Sequence, residues 1–465
     1  MRTFYIVITY TIGECAHMRE TERSHRYARA SFTRNISPCT VYQSFLILST
    51  CATTMSNDQQ ELKTIELHEL QPILSRTFGD RLIVVRYTTE NLLQPGENYG
   101  STIFSVHAVI KRNDEAEEED LYLIAKMPPP TEFQRQIFDT PFTFKKEIFM
   151  YEDIVPYYQK LEEEMGLKEN EVFDILPKYY KSRLSLSPNV EFDDNAVILM
   201  ENLRARGYYN SNRATGCDLE HSRVAIRALA RFHALGMATK YKRPEYFEVL
   251  KERSKCVEIK TEDFEHFRED MLKRIAEDPE LSVYVDRCDT AIRDSFKYGF
   301  WTMTPDEPWS TIIHADFWVN NIMFHRDEND HVDDIKFVDF QNYLFFSPMR
   351  ELVFFLFSST EVVSSEDHIE ELIDLYHETF IAVLNRMGCN TEPFTREKFD
   401  AKLLTDARLE SMHLFFMLKI LTLNVQETEL KHDNMKDFMM TYQGNQLFIQ
   451  RLRTVIFYFI KHNWM

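Results

Sequence analysis

Three short stretches in the first half of the chain carry dense runs of apolar residues. Leu82–Tyr87 (LIVVRY), Ser101–Lys111 (STIFSVHAVIK) and Leu121–Met127 (LYLIAKM) are rich in β-branched and aromatic residues and predict strands. Pro128, Pro129 and Pro130 stop the third, and an acidic turn, Asn113–Asp120, precedes it. Phe144–Glu164 repeats its apolar residues every three or four positions and predicts a helix, and Asn195–Met200 predicts a further strand. From Cys217 onward helical spacing dominates, predicting helices at His221–Thr239, Glu262–Glu277, Glu351–Phe357, His368–Met387, Ala407–Thr422 and Asn445–His462. One β-hairpin, near Asn321–Gln341, interrupts them. Strands first and helices after is an α+β pattern.

Composition narrows the class. Apolar residues make up 44% of the 465 positions, enough for a sizeable core and too many for a disordered chain. The 11 glycines argue against collagen and glycine-rich linkers. Lys+Arg 54 against Asp+Glu 74 gives a net charge of −20, which makes the chain a poor general binder of nucleic-acid phosphates and leaves room for a local basic groove that holds a nucleotide. The 7 cysteines form no CxxC pair and are odd in number, which suggests neither a zinc site nor a complete disulfide framework. A reducing, cytoplasmic location and no membrane partner are expected, because no apolar stretch is long enough to span a bilayer.

Residues 1–54 differ from the rest. They hold six Arg, no Lys and three Glu, and they lack sustained periodicity. The expectation is a disordered extension or an upstream start-site artefact, with a targeting segment as the minority reading. Residues 55–203 then read as a strand-rich lobe with its hinge, and residues 204–465 as a helical lobe.

The strongest chemical signal is His314-Ala315-Asp316-Phe317-Trp318-Val319-Asn320-Asn321, an H-x-D-x-W-x-x-N pattern. Ile322-Met323-Phe324 leads into a strand and Ile335–Phe340 returns. The hairpin folds Asp339 back towards Asn321, placing Asp316, Asn321 and Asp339 around one point. Hard cations such as Mg²⁺ take oxygen ligands of this kind, and a separate carboxylate beside the ligands is the layout of phosphoryl transfer. Three weaker signals lie upstream. Gly96, Asn98, Tyr99, Gly100 and Ser101 form a loop ahead of a strand whose backbone can approach phosphates. Lys126 is the one cation in an apolar strand, and taken alone it reads as a lysine reaching out from a sheet edge. Glu147 follows on a helix, where alone it reads as a solvated charge. Their order is that of a kinase: glycine loop, strand lysine, helix glutamate, linking strand, H-x-D loop, hairpin, D-F-x. The Walker loop is absent, and so is H-R-D, which argues against P-loop enzymes and typical protein kinases.

These residues resemble the ecdysteroid kinase-like (CHK-kinase-like) family, relatives of choline kinases and aminoglycoside phosphotransferases. Matching positions are Gly96-x-Asn98-Tyr99-x-Ser101, Lys126 ahead of prolines, Phe144-x-x-Glu147-x-x-x-Tyr151, Leu199–Leu203, Ala228–Ala234, the H-x-D-x-W-x-x-N loop and Val338–Gln341. The resemblance implies a bilobal protein-kinase-like fold with ATP in the cleft, Asp316 as catalytic base, and Asn321 and Asp339 as Mg²⁺ ligands. It implies Lys126 on the α/β-phosphates with Glu147 as its partner, and Met200, Glu201, Asn202 and Leu203 as a hinge facing adenine. Two departures stand out. Ala315 occupies a position usually held by glycine, expected to be harmless because only a methyl is added. Glu351 replaces an aspartate, and its longer side chain is expected to brace the loop less well.

The expected function is ATP-dependent transfer of a phosphoryl group to a hydroxyl of a small molecule, a bulky apolar alcohol such as an ecdysteroid or a foreign compound. The apolar runs Phe354–Phe357, Leu414–Leu418 and Ile456–Ile460 support the apolar choice, although such runs also serve as plain helix core. The alternatives are a catalytically inactive kinase-like binding protein and a choline- or ethanolamine-type kinase.

Overall fold

The computed structural model describes residues 65–92, 100–255, 264–298, 305–361, 366–422 and 444–465. Residues 1–54, Ser56–Gln60 and the loop residues Gly96, Asn98 and Tyr99 lie outside the described residues. The chain divides into residues 1–37 and 38–465, and every described residue belongs to the second unit.

Helix α1 (Leu70–Phe78) buries Leu70, Ile73 and Leu74 against a five-stranded antiparallel sheet. Strands β1 (Ile83–Asn91), β2 (Thr102–Lys111) and β3 (Glu119–Met127) form a meander. Helices α2 (Glu132–Ile137), α3 (Thr140–Phe149) and α4 (Val155–Glu164) follow, and β4 (Tyr179–Arg183) and β5 (Val197–Glu201) complete the sheet. The strand order β1-β2-β3-β5-β4 makes β3 the central strand. Lys126 therefore sits mid-sheet, paired with Ile103 and Ile198, and not at an edge. The expected single helix Phe144–Glu164 is two helices around a π-turn, Met150–Ile154. Pro156, in the first turn of α4, has no N–H to donate, and the wider turn accommodates it.

The second half is helical: α5 (Leu219–Lys242), α6 (Pro244–Arg253), α7 (Phe264–Glu277) and α8 (Val285–Lys297) precede the short strand β6 (Thr311–Ile313). The hairpin β7 (Ile322–Arg326) and β8 (Val332–Phe337) follows, then β9 (Leu344–Phe346), which pairs with β6. Helices α9 (Pro348–Ser358), α10 (Glu366–Arg386), α11 (Arg396–Leu421) and α12 (Gln446–Lys461) close the lobe. Buried Phe232, Phe317, Phe337, Phe340 and Phe355 form one core beneath the hairpin. Helix α5 comes so close to β6 that a Cβ at Gly236 would lie 2.5 Å from Thr311 Oγ1, which requires glycine there. The whole is an α+β, bilobal, kinase-like fold with a sheet-rich N-lobe and a mostly helical C-lobe. Among the described residues no helix is long and apolar enough to cross a membrane.

Candidate active site

The central strand carries Lys126 into a nearly dry setting. Its side chain is 3% exposed, and its Nζ donates to Glu147 Oε2 at 2.5 Å and to Asp339 Oδ1 at 2.6 Å. Burial favours losing the lysine proton, but the charges of Asp339 and Glu147 outweigh it and hold the Lys126 pKa above its ordinary value. Glu147, expected alone to be a solvated helix charge, is fully buried. Helix α3 presents it because Phe144, three residues earlier, anchors the same face against Ala196 and Ile198. Three residues from a strand, a helix and the segment after the hairpin thus meet at one ammonium group.

Asp316 and Asn321 lie on the loop between β6 and β7. Asn321 Nδ2 donates to the Asp316 carbonyl at 2.9 Å and to Asp316 Oδ2 at 3.0 Å. This commits the amide nitrogen to Asp316 and turns the amide oxygen away from it. Val338 N donates to Asn321 O at 3.0 Å, tying the loop to the strand end beside Asp339. Burial, reinforced by the Asp339 charge, pushes the Asp316 carboxyl up to about 7. The oxygen donor set of Asn321 and Asp339, next to a carboxylate that is not tied to Lys126, fits a hard divalent cation.

The loop is braced from beneath. Glu351, in the first turn of α9, accepts from His314 N at 3.0 Å and Ala315 N at 2.5 Å, and its Oε2 also meets His233 Nε2 at 2.8 Å. The concern that a glutamate braces less well than an aspartate is therefore not borne out by the geometry. His314 is buried and its Nε2 donates to Val338 O at 3.0 Å, and burial pulls its pKa below the ordinary value, so it is a neutral brace.

Ala315 is a correction. Its φ is 67°, left-handed backbone in which the methyl is disfavoured, so the departure from glycine costs conformational energy. Ala315→Gly is expected to stabilise the protein by about 1 kcal/mol, the left-handed penalty less the extra chain entropy of glycine. Thermal unfolding checks this; an unchanged or lower Tm would mean that the loop is not strained.

Of the expected nucleotide loop, Gly100 and Ser101 are described and both are buried. A Cβ at Gly100 would lie 3.2 Å from Gln341 Nε2 and 3.2 Å from Phe138 Cδ1, so the loop end rests on the residue two positions after Asp339. Sequence reading quoted Gln341 only as part of a motif and gave no sign of this contact. The hinge residues separate in role. Met200 is buried against Phe144 and Tyr151, committed to packing on α3. Leu203 packs with Tyr208, Met323 and Val338, next to Asp339. Asn202 caps the turn after β5 and donates to Ser105 Oγ at 3.2 Å, and Glu201 pairs with Arg206 at 3.0 Å. Met323 was legible only as a strand residue.

A second group of possible ligands, Asp218, Glu220 and His221, lies at the start of α5. His221 there is held by Asp218 at 2.7 Å and Tyr209 at 2.9 Å, and Glu220 accepts from Val332 N at 3.0 Å, so these groups serve as a helix cap and a tie to the hairpin.

A model of the ecdysteroid kinase-like family matches residues 95–389, the span that holds Lys126, Glu147, Asp316, Asn321 and Asp339. The chain belongs to the ecdysteroid kinase-like family. Among solved structures it is similar to an ethanolamine kinase of Plasmodium vivax, at 10% identity over 79% of this chain and 85% of that one, with a TM-score of 0.35. It is similar to the spectinomycin phosphotransferase APH(9)-Ia in complex with ADP and spectinomycin, at 10% identity over 84% and 99%, with a TM-score of 0.37. A third is the GDP and kanamycin complex of APH(2")-IIIa, at 12% identity over 75% and 96%, with a TM-score of 0.34. No curated protein matches the chain. The ecdysteroid kinase-like match ends ahead of α11 and α12, so the helices that complete the C-lobe lie beyond it.

Proposed function

We propose that the protein is an ATP-dependent kinase that phosphorylates a hydroxyl of a small, largely apolar alcohol such as an ecdysteroid or a hydroxylated foreign compound. The observation that carries this reading is the convergence of Lys126, Glu147 and Asp339 on one side and Asp316 and Asn321 on the other. Asp316 orients the acceptor hydroxyl and takes its proton as the new O–P bond forms and the bond to the leaving diphosphate breaks. Its raised pKa places the carboxylate near the working pH of a general base. Lys126 holds the α/β-phosphates and is positioned by Glu147. Gly96, Asn98, Tyr99, Gly100 and Ser101 cover them through backbone N–H groups. Leu203, Met323 and Val338 form the apolar wall against which the base packs, with Met200, Glu201 and Asn202 completing the hinge. Asn321 and Asp339 would hold Mg²⁺, which when bound neutralises charge on the phosphoryl group in flight.

The acceptor side is supported by a cavity of about 250 Å³ between α9, α10 and α12, walled by Leu356, Phe357, Ile369, Val455, Phe457 and Tyr458. The runs Phe354–Phe357 and Ile456–Ile460 thus contribute to a cavity wall, whereas Leu414–Leu418 is plain core, as the competing reading had it. Thr360, also on the wall, follows Ser359, whose Oγ accepts from Val319 N at 3.0 Å in the loop of Asp316. The test is Mg²⁺·ATP turnover with steroids, phenolic glycosides, choline, ethanolamine and aminoglycosides. Preferred phosphorylation of choline, ethanolamine or an aminoglycoside would overturn the apolar acceptor, and nucleotide binding without any turnover would favour an inactive binding protein. Asp339→Ala is expected to raise the Mg²⁺ concentration needed for half-maximal activity by at least about tenfold, because it removes the one charged ligand of the pair. An unchanged Mg²⁺ requirement would remove Asp339 from the metal site.

A further inference from the structure

Glu147 gives Lys126 only one of its two carboxylate oxygens. Oε2 accepts from Lys126 Nζ, while Oε1 is buried without a hydrogen-bond partner. Four residues on, in the π-turn, the hydroxyl of Tyr151 is also buried without one. Positions four apart on a helix lie over one another, so the two side chains share a face. Their chemistry is complementary: a carboxylate oxygen accepts, and a phenol has a proton to donate. Burial, and then the Glu147 charge beside it, holds the Tyr151 phenol well above its ordinary pKa, so it keeps that proton. Burial likewise raises the Glu147 carboxyl, against the pull of Lys126 and of the Tyr151 hydroxyl.

The Tyr151 ring is fixed from the sheet side. It stacks on Tyr179 of β4, with ring centroids 5.5 Å apart and planes 10° from parallel, and it packs with Phe144, Ile198 and Met200. The Tyr179 hydroxyl is anchored in turn, 2.8 Å from Ser182 Oγ and 3.1 Å from Glu152 Oε1. The phenol is thus aimed along the helix face that carries Glu147.

In this structure Lys126 spans Glu147 and Asp339. In the proposed kinase its ammonium turns to the α/β-phosphates and the contact with Asp339 opens. Glu147 then anchors the lysine alone, and a carboxylate held at one oxygen is free to rotate. We infer that Tyr151 is the positioning residue behind Glu147: with nucleotide bound, its hydroxyl donates to Glu147 Oε1 and fixes the carboxylate that steers Lys126 onto the phosphates. This rests on the proposed function. Two complementary groups left buried and unpaired destabilise the resting state, and closing the bond between them on nucleotide binding adds to affinity.

Tyr151→Phe removes the hydroxyl and keeps the ring with its stack on Tyr179. The full chain and the variant are compared by Tm without nucleotide and by dissociation constants for Mg²⁺·ADP and for adenosine. Without nucleotide, Tm is expected to be unchanged or higher, because the buried hydroxyl that is lost had no partner. Mg²⁺·ADP is expected to bind about tenfold more weakly, as loss of a hydrogen bond to a charged group would give. Adenosine, which has no phosphate for Lys126 to hold, is expected to bind equally well to both. A lower Tm without nucleotide would make the hydroxyl a plain packing group. Unchanged Mg²⁺·ADP affinity would detach it from Glu147, and adenosine weakened as much as Mg²⁺·ADP would assign its effect to the lobe at large. Each of these overturns the inference. A wild-type chain that binds neither ligand would refute the kinase reading and the inference with it, whereas wild-type binding that Tyr151→Phe leaves untouched would refute the inference alone.

Discussion

Asp316→Asn is expected to lower kcat by about 10²–10⁴-fold while leaving nucleotide affinity nearly intact. The amide keeps the shape and can still accept from Asn321 Nδ2, but it cannot take a proton from a hydroxyl. The same change is expected to stabilise the resting protein in a pH-dependent way. The folded carboxyl is pushed up to about 7, above its unfolded value, so between roughly pH 4 and pH 7 the native state binds a proton that the unfolded chain has released. Stability from this group is therefore present at low pH and is lost as pH rises through the folded pKa. The variant lacks that loss, so its Tm advantage is expected to be largest above about pH 7 and to close towards about pH 4. A variant with near-wild-type kcat on the true acceptor would end the assignment of Asp316 as base; a Tm difference independent of pH would end the account of its raised pKa.

Lys126→Met is expected to cost about 3–5 kcal/mol of stability and to remove activity, because deleting one member of a buried charge group leaves the others uncompensated. Glu147 has a fully buried side chain, and Asp339 is only 21% exposed, so neither recovers much hydration when the ammonium is gone. Adding Glu147→Gln to Lys126→Met is expected to restore most of the stability and none of the activity. Chemical denaturation of the single and double variants measures both terms. A single variant as stable as the wild type, or a double variant no more stable than the single, would show that the three groups are not coupled.

The elements that sequence reading located share a broad apolar face. Strand β3, helix α5 and the hairpin all carry large β-branched or aromatic residues at a regular period, and their burial fixes them. Helix α8 was missed because its inward stripe is small and partly polar, Cys288, Ala291, Ile292 and Ser295, and does not stand out from the charged residues around it. The first part of α11 was missed for a similar reason, with Phe399 and Leu403 as its buried apolar anchors in a polar stretch. Strand β4 escaped because Lys181 sits at a positive φ with a bulge in its register, so its pattern is broken at the residue that would have revealed it. At the candidate site, residue types and order pointed to the lysine, the glutamate and the loop. The backbone strain at Ala315 and the reach of Glu351 depend on torsions and on contacts between distant segments, and no local spacing encodes them.

The meeting of Gly100 with Gln341 sets a dimension. One partner belongs to the sheet-rich lobe and the other to the segment that carries Asp339, and they touch across the gap between lobes. A Cβ at position 100 would come within 3.2 Å of both Gln341 Nε2 and Phe138 Cδ1, so these side chains would have to give by a few tenths of an ångström to admit one. The clearance above Asp339 is thus gauged by an uncharged pair, a bare backbone on one side and an amide on the other. That clearance can be retuned by substitutions at either position while every charged group keeps its identity.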